Sequence, residues 1–168
     1  MKTKTQRIVM AAMFAALTCV TTMIIKFPSP PPLKGYLNLG DCIVLLTGWT
    51  LTPFYSFFAA GFGSALADLF LGYTIYAPAT FLIKGGMAIV AAFGYRGLKR
   101  GMGGALPRII SGIFSQIIMV LGYFLYELCL YGFSTAAVNV PGSIMQGLAG
   151  LAAGLVLIHI FKKNNIGI

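Results

Sequence analysis

Acidic residues are almost missing from this chain: Asp41, Asp68 and Glu127 are the only three among 168 residues, and residues of either charge make up 9%. A water-soluble domain carries about 25% charged residues. Scarcity on that scale leaves no water-compatible surface, which excludes a soluble globular domain. Histidine is nearly absent too. His159 together with Cys19, Cys42 and Cys129, which show no CxxC spacing, cannot make a zinc site. The cysteines read as free, buried and structural. With so few acids and no metal-ligating cluster there is no catalytic constellation, so an enzyme is not expected. Nor is there a GxxxxGK[ST] phosphate loop, and the acids are too few for a proton relay. Any work done against a gradient would need another subunit.

What the chain has is apolar length. Hydrophobic residues are 58% of the total and the mean hydropathy is +0.89, the composition of an integral membrane protein. Twelve Lys or Arg stand against the three acids. A basic excess invites a nucleic-acid reading, but these charges fall at the ends of apolar runs, where orientation signals lie. No nucleic-acid partner is expected; the lipid bilayer is. The first run, 8–25, follows Lys2, Lys4 and Arg7 but is too long for a signal-peptide core and ends in IIKFPSPPP, without a small-residue cleavage site. It reads as a retained transmembrane helix.

Five apolar blocks are visible, at about 8–25, 42–72, 77–95, 106–131 and 138–161. The second exceeds the roughly 20 residues of one span and contains Pro53, which breaks helical hydrogen bonding. Charge decides how to divide it. Two helices parting near Thr52–Pro53 put Arg96, Lys99, Arg100 and Arg108 on the same side as Lys2, Lys4, Arg7, Lys162 and Lys163. The positive-inside rule then favours six spans with both termini cytoplasmic. The expectation is an all-α integral membrane protein, one six-helix domain over 1–168, with helices at about 5–26, 41–51, 54–72, 77–97, 105–131 and 138–162. Asp41–Leu51 is short, about 17 Å at 1.5 Å per residue, and reaches membrane depth only if protein surrounds it. The segment before it, PSPPP followed by KGYLNLGD at 34–41, then covers the outer side of the bundle. Its prolines prefer extended polyproline geometry, tolerated at membrane depth only beside a water-filled cavity. Lys34 reads as its rim.

Intramembrane polar residues are functional candidates by default. Tyr123 and Glu127 share a face of the fifth span, beside Tyr126; Asn139, Ser143 and Gln146 line one stripe of the sixth; Lys84 lies eight residues into the fourth. With Asp41 and Asp68 they form a cluster in the outer half with no inner counterpart, which fits a pocket entered from outside better than a continuous pore. Plainer roles stay open. Lys84 and Glu127 could neutralise each other. Ser143 and Gln146 could be hydrogen-bond glue between helices, Asp41 the N-cap of the second helix, Asp68 a cap or loop anchor. Tyr123 and Tyr126 read either as an interfacial belt or a pocket wall, and His159 as interfacial. On the first helix Ala11/Ala15 and Ala12/Ala16 form two small-xxx-small pairs, suited either to internal packing or to a partner helix.

The order AAMFAAL, GYLNLGD, GSALADLFLGY, FLIKGGMAIVAAFGYR, GYFLYE and NVPGSIMQGLAG resembles, over nearly the whole chain, the substrate-binding S components of energy-coupling factor (ECF) vitamin transporters, in their riboflavin/hydroxymethylpyrimidine/pyridoxine-type branch. The resemblance implies a six-helix subunit of a prokaryotic plasma membrane. It would capture a micronutrient outside, dock on a transmembrane coupling protein bearing two ATPase subunits, and topple to release its cargo inside. ATP would be used by those partners, with no cofactor in this chain. Docking carries over onto Ala11 and Ala15, with Ala12 and Ala16 beside them. The gate carries over onto the loop at about 27–40, with Tyr36, Leu37, Gly40 and Asp41 at its end. Substrate contacts carry over onto Asn38, Lys84, Tyr123, Glu127, Asn139 and Gln146, with Ser143 standing where a second Asn is expected. A pyridoxine-like or hydroxymethylpyrimidine-like ligand leads; riboflavin, pantothenate and a deazapurine precursor of queuosine are the alternatives. The rival readings are an autonomous small-solute carrier or channel and a scaffold without a ligand.

Overall fold

A computed structural model describes residues 3–28 and 36–163. The proline run from Ser29 onward and Lys34 lie outside these, so the expected polyproline geometry and the rim role of Lys34 do too. The order is α1 (Lys4–Ile24), β1 (Lys26–Pro28), β2 (Tyr36–Asn38), α2 (Gly40–Thr50), α3 (Pro53–Phe70), α4 (Ala77–Leu98), α5 (Leu106–Tyr131) and α6 (Phe133–Lys163). Thr3 starts α1 with a reciprocal capping box to Gln6, which satisfies two of the helix's orphan donors. Pro53 occupies the first position of α3, where its missing N–H does no harm. Leu51 and Thr52 before it are extended, and the long second block divides there as its proline suggests.

Within the described residues, α1, α4, α5 and α6 are long and apolar enough to cross a membrane. The short α2 is sheathed instead. Gly40 through Trp49 are all buried, and α1, α3, α4 and α6 pack around it. Close approach explains how. A side chain at Gly48 would meet Ala91 Cβ at 2.6 Å, and one at Gly150 of α6 would meet Asp41 Cβ at 2.6 Å. Small residues let backbones meet where apolar burial offers no advantage over lipid.

Three boundaries differ from the expectation. The all-helical reading omits an antiparallel pairing of Lys26 with Asn38 and Pro28 with Tyr36, three residues on each side and too short to leave a period-2 signature. Gly40 already belongs to the first turn of α2, one residue ahead of the expected start at Asp41. Finally, α6 begins at Phe133, not near 138. Gly132, at φ +82, turns the chain from α5 into α6 in one residue, a conformation suited to glycine.

One end of the bundle is basic. Lys4 and Arg7 of α1, Lys99 and Arg100 beyond α4, and Lys163 of α6 lie there. Arg96 caps α2, donating to the Gly48 carbonyl at 3.4 Å and to that of Leu51. Arg108 is buried, donating to the Tyr95 hydroxyl at 2.6 Å. Trp49 Nε1 donates to Ser111 Oγ at 3.1 Å, and Leu46, Ala91, Leu151 and Ile158 fill the space around this layer. The opposite end holds the strand pair, the end of α3 and the α5–α6 turn.

Candidate functional site

Two buried polar nodes occupy the half of the bundle away from the basic end. The first centres on Asp41, which is fully buried. Lys84 of α4 pairs with its Oδ1, and Gln146 Nε2 of α6 donates to its Oδ2 at 3.0 Å. Lys84 also reaches Met119 Sδ at 3.3 Å and sits 5.4 Å from the Tyr123 ring centroid. The carboxamide of Gln146 then links this pair to the strand end, because its Oε1 accepts the Asn38 backbone N–H at 3.1 Å. Asn38 Oδ1 in turn accepts the Gly40 N–H at 2.9 Å. A chain of bonds therefore runs from β2 through α6 to α2 and α4.

The second node centres on Glu127 of α5. Asn139 Nδ2 donates to Oε2 at 2.8 Å and the Tyr76 hydroxyl to Oε1 at 3.4 Å. Burial holds the Tyr76 hydroxyl well above the usual tyrosine range, so it remains a donor. The Tyr76 ring packs edge-on to Tyr126 at 5.6 Å and lies 6.5 Å from Tyr131. Tyr123 bonds Thr80 at 3.1 Å, between the two nodes.

The residues singled out by intramembrane polarity thus converge, but with different partners. Lys84 pairs with Asp41, not with Glu127. Asp41 is not a cap: Leu39 holds the N-cap position and no side chain caps α2. As the second residue of the helix Asp41 still lies where the macrodipole favours a negative charge. The side-chain oxygen of Asn38 is engaged by backbone, while its N–H reaches Gln146. Ser143 is half-buried on α6, Asp68 is buried at the end of α3, and His159 is exposed toward the basic end. Tyr36 and Leu37 pair with Pro28 and Phe27 in the strand ladder. Tyr76 and Met119 join the nodes without having stood out in the sequence, since an interfacial Tyr and a core Met carry no intramembrane charge signal.

The alanine pairs separate. Ala11 and Ala15 are partly buried, and a side chain at Gly63 of α3 would meet the Ala15 carbonyl at 2.4 Å, whereas Ala12 and Ala16 are exposed. Near the basic end, a crevice of about 190 Å³ lies among Arg7, Met10, Thr50, Leu51, Thr52 and Tyr55, far from both nodes.

Comparison with known proteins agrees with this architecture. The sequence profile of the ECF-type riboflavin transporter, S component, matches residues 2–163. An uncharacterized protein in gap 3'region of Pyrococcus woesei is 36% identical over 145 residues, 86% of this chain and 93% of that protein. The thiamine precursor transporter HmpT of Lactococcus lactis subsp. cremoris (strain MG1363) is 25% identical over 161 residues, 96% of this chain and 90% of that one. The solved S component of a bacterial ECF transporter shares the fold, with a TM-score of 0.75 at 22% identity over 99% of this chain and 100% of the other. The chain belongs to the ECF-type riboflavin transporter S component family, and so is a multi-pass plasma-membrane subunit of a vitamin-type importer, not an enzyme.

Proposed function

We propose that this subunit captures a small heterocyclic micronutrient from outside, at the two polar nodes, and releases it inside after docking on an ATP-driven module. It crosses the membrane six times with both termini and the basic end cytoplasmic. The module is a transmembrane coupling protein with two ATPase subunits, and the chain itself takes no cofactor. Substrate contacts come from Lys84, Tyr123, Glu127, Asn139 and Gln146, with Asn38 acting through its backbone.

The observation that carries this reading is the bridge made by Gln146. It ties the Asn38 N–H, at the end of the gate, to the buried Asp41–Lys84 pair. A ligand that competes for Gln146 or Lys84 shifts the hydrogen bonding of the gate, so occupancy and closure are coupled through one carboxamide. The packed inner layer around Trp49, Leu151 and Ile158 supports capture followed by handover rather than passage through this chain alone. For docking, the exposed pair Ala12/Ala16 is better placed than Ala11/Ala15.

A hydroxymethylpyrimidine-like or pyridoxine-like ligand is favoured by the relative described as a thiamine precursor transporter. The family's own description favours riboflavin as the second reading. The test is a thermal-shift panel on the detergent-purified chain, with pyridoxine, hydroxymethylpyrimidine, riboflavin, pantothenate and a deazapurine. One class should raise the Tm saturably, and Glu127→Gln should abolish or strongly weaken that shift. A flat panel, or a variant that binds as wild type does, overturns the pocket assignment.

A further inference from the structure

The buried carboxylates of the two nodes differ in one decisive respect. Asp41 is neutralised by Lys84. Among the described residues, Glu127 accepts hydrogen bonds from two neutral groups, the Tyr76 hydroxyl and the Asn139 carboxamide. Among the described residues it has no cationic partner, although it is only 6% exposed and lies within the last turns of α5. A buried ionised carboxylate with hydrogen bonds but no counter-charge is costly. Burial at this depth marks a group awaiting a partner rather than a solvated surface charge.

The surroundings define that partner. Tyr76 stands beside Glu127 with Tyr126 5.6 Å and Tyr131 and Tyr73 each 6.5 Å from it, centroid to centroid. Aromatic faces next to a carboxylate hold organic cations through the ring quadrupole and the charge together. Lys84, 5.4 Å from the Tyr123 centroid, already makes a contact of this kind within the protein. Because Lys84 is committed to Asp41, it offers Glu127 no counter-charge. A ligand without a positively charged group would not supply one.

We infer that Glu127, with Tyr73, Tyr76, Tyr126 and Tyr131, forms a subsite for a positively charged ring nitrogen or ammonium. The substrate class is therefore a protonatable or permanently cationic heterocycle. This rests on the outer polar nodes being the capture pocket. It separates the candidates by chemistry: aminopyrimidines and hydroxymethylpyridines can carry the proton that Glu127 needs, whereas a neutral flavin or a carboxylate-bearing pantothenate leaves it uncompensated.

Two isosteric probes test the charge alone: 1-methyl-3-(hydroxymethyl)pyridinium, a permanent cation, and 3-methylbenzyl alcohol, its neutral counterpart. Calorimetric titration of the full detergent-purified chain should show the cation binding at least about tenfold more tightly, as expected for a desolvated aromatic-plus-carboxylate site. Glu127→Gln should reduce that preference to within about twofold, while Glu127→Asp, which keeps the charge, should retain most of it. Equal affinities, tighter binding of the alcohol, no saturable binding of the cation, or a preference untouched in Glu127→Gln would each overturn the inference. If Glu127→Gln does not fold, the wild-type ratio decides. A neutral binder in the micronutrient panel sinks the cationic subsite but leaves the capture reading standing; a flat panel sinks both.

Discussion

Lys84 and Asp41 join α4 to α2 at a depth where neither charge can reach water. Their attraction offsets two large desolvation costs, so removing one partner does more harm than removing both. Asp41→Asn or Lys84→Met alone should destabilise the chain by about 3–5 kcal/mol. The double variant should recover a large part of that loss. Thermal unfolding in detergent of all four proteins checks this, and additive losses would contradict it. At this scale the sequence was legible in its choice of residues and not in their pairing. Lys84, Glu127, Asn139 and Gln146 stand out because polar groups inside apolar runs are costly. Helical periodicity gives depth and face along one helix but says nothing of how neighbouring helices are rotated. The partner of Lys84 is for that reason Asp41 rather than Glu127. Asp41 resembles a cap in the sequence because it precedes an apolar run; only the backbone places Gly40 already inside the helix.

Among the elements, α2 is the one whose length required an explanation, and its burial supplies it. Eleven residues, too few to cross a lipid core unaided, are enclosed by protein through contacts such as those at Gly48 and Gly150. Gly150→Ala would put a methyl group 2.6 Å from Asp41 Cβ, and the cost of such overpacking is about 1–3 kcal/mol. It should also weaken ligand binding, because it presses on the same carboxylate. Gly97→Ala on α4, where nothing lies within 4 Å of the added atom, should instead be neutral or stabilise by up to about 1 kcal/mol. Parallel melting curves of the two variants make the comparison. The break at Pro53 and the helix ends near it were readable because proline fixes them. The strand pair and the early start of α6 were not, since three-residue strands leave no pattern and a one-residue turn at Gly132 looks like part of a longer loop. On α1, periodicity offered two alanine pairs, and only packing against Gly63 separates the buried from the exposed one. Ala16→Leu should therefore impair ATP-driven uptake by the assembled importer while leaving ligand binding by the isolated chain unchanged; impaired binding, or undiminished uptake, would count against docking there.

For the molecule as a whole, charge separates the two ends. Apart from Lys26 in the strand pair, the described basic residues near the helix ends gather at one of them, where Arg96 and Arg108 close the interior, and all three carboxylates lie in the other half. That asymmetry was foreshadowed by where the basic residues fall along the sequence, and it is what favoured six spans there. The proposed chemistry of the ligand was not, because it rests on Glu127 having no cationic partner among the described residues, which the sequence does not reveal. Native mass spectrometry of the chain, expressed without its partners and purified in mild detergent, tests the account most directly. It should carry one small heterocycle with a basic nitrogen per chain, which Gln146→Ala, by cutting the bridge from Asn38 to Asp41, should release. A chain that purifies empty from vitamin-replete cells and binds no micronutrient when challenged would contradict it.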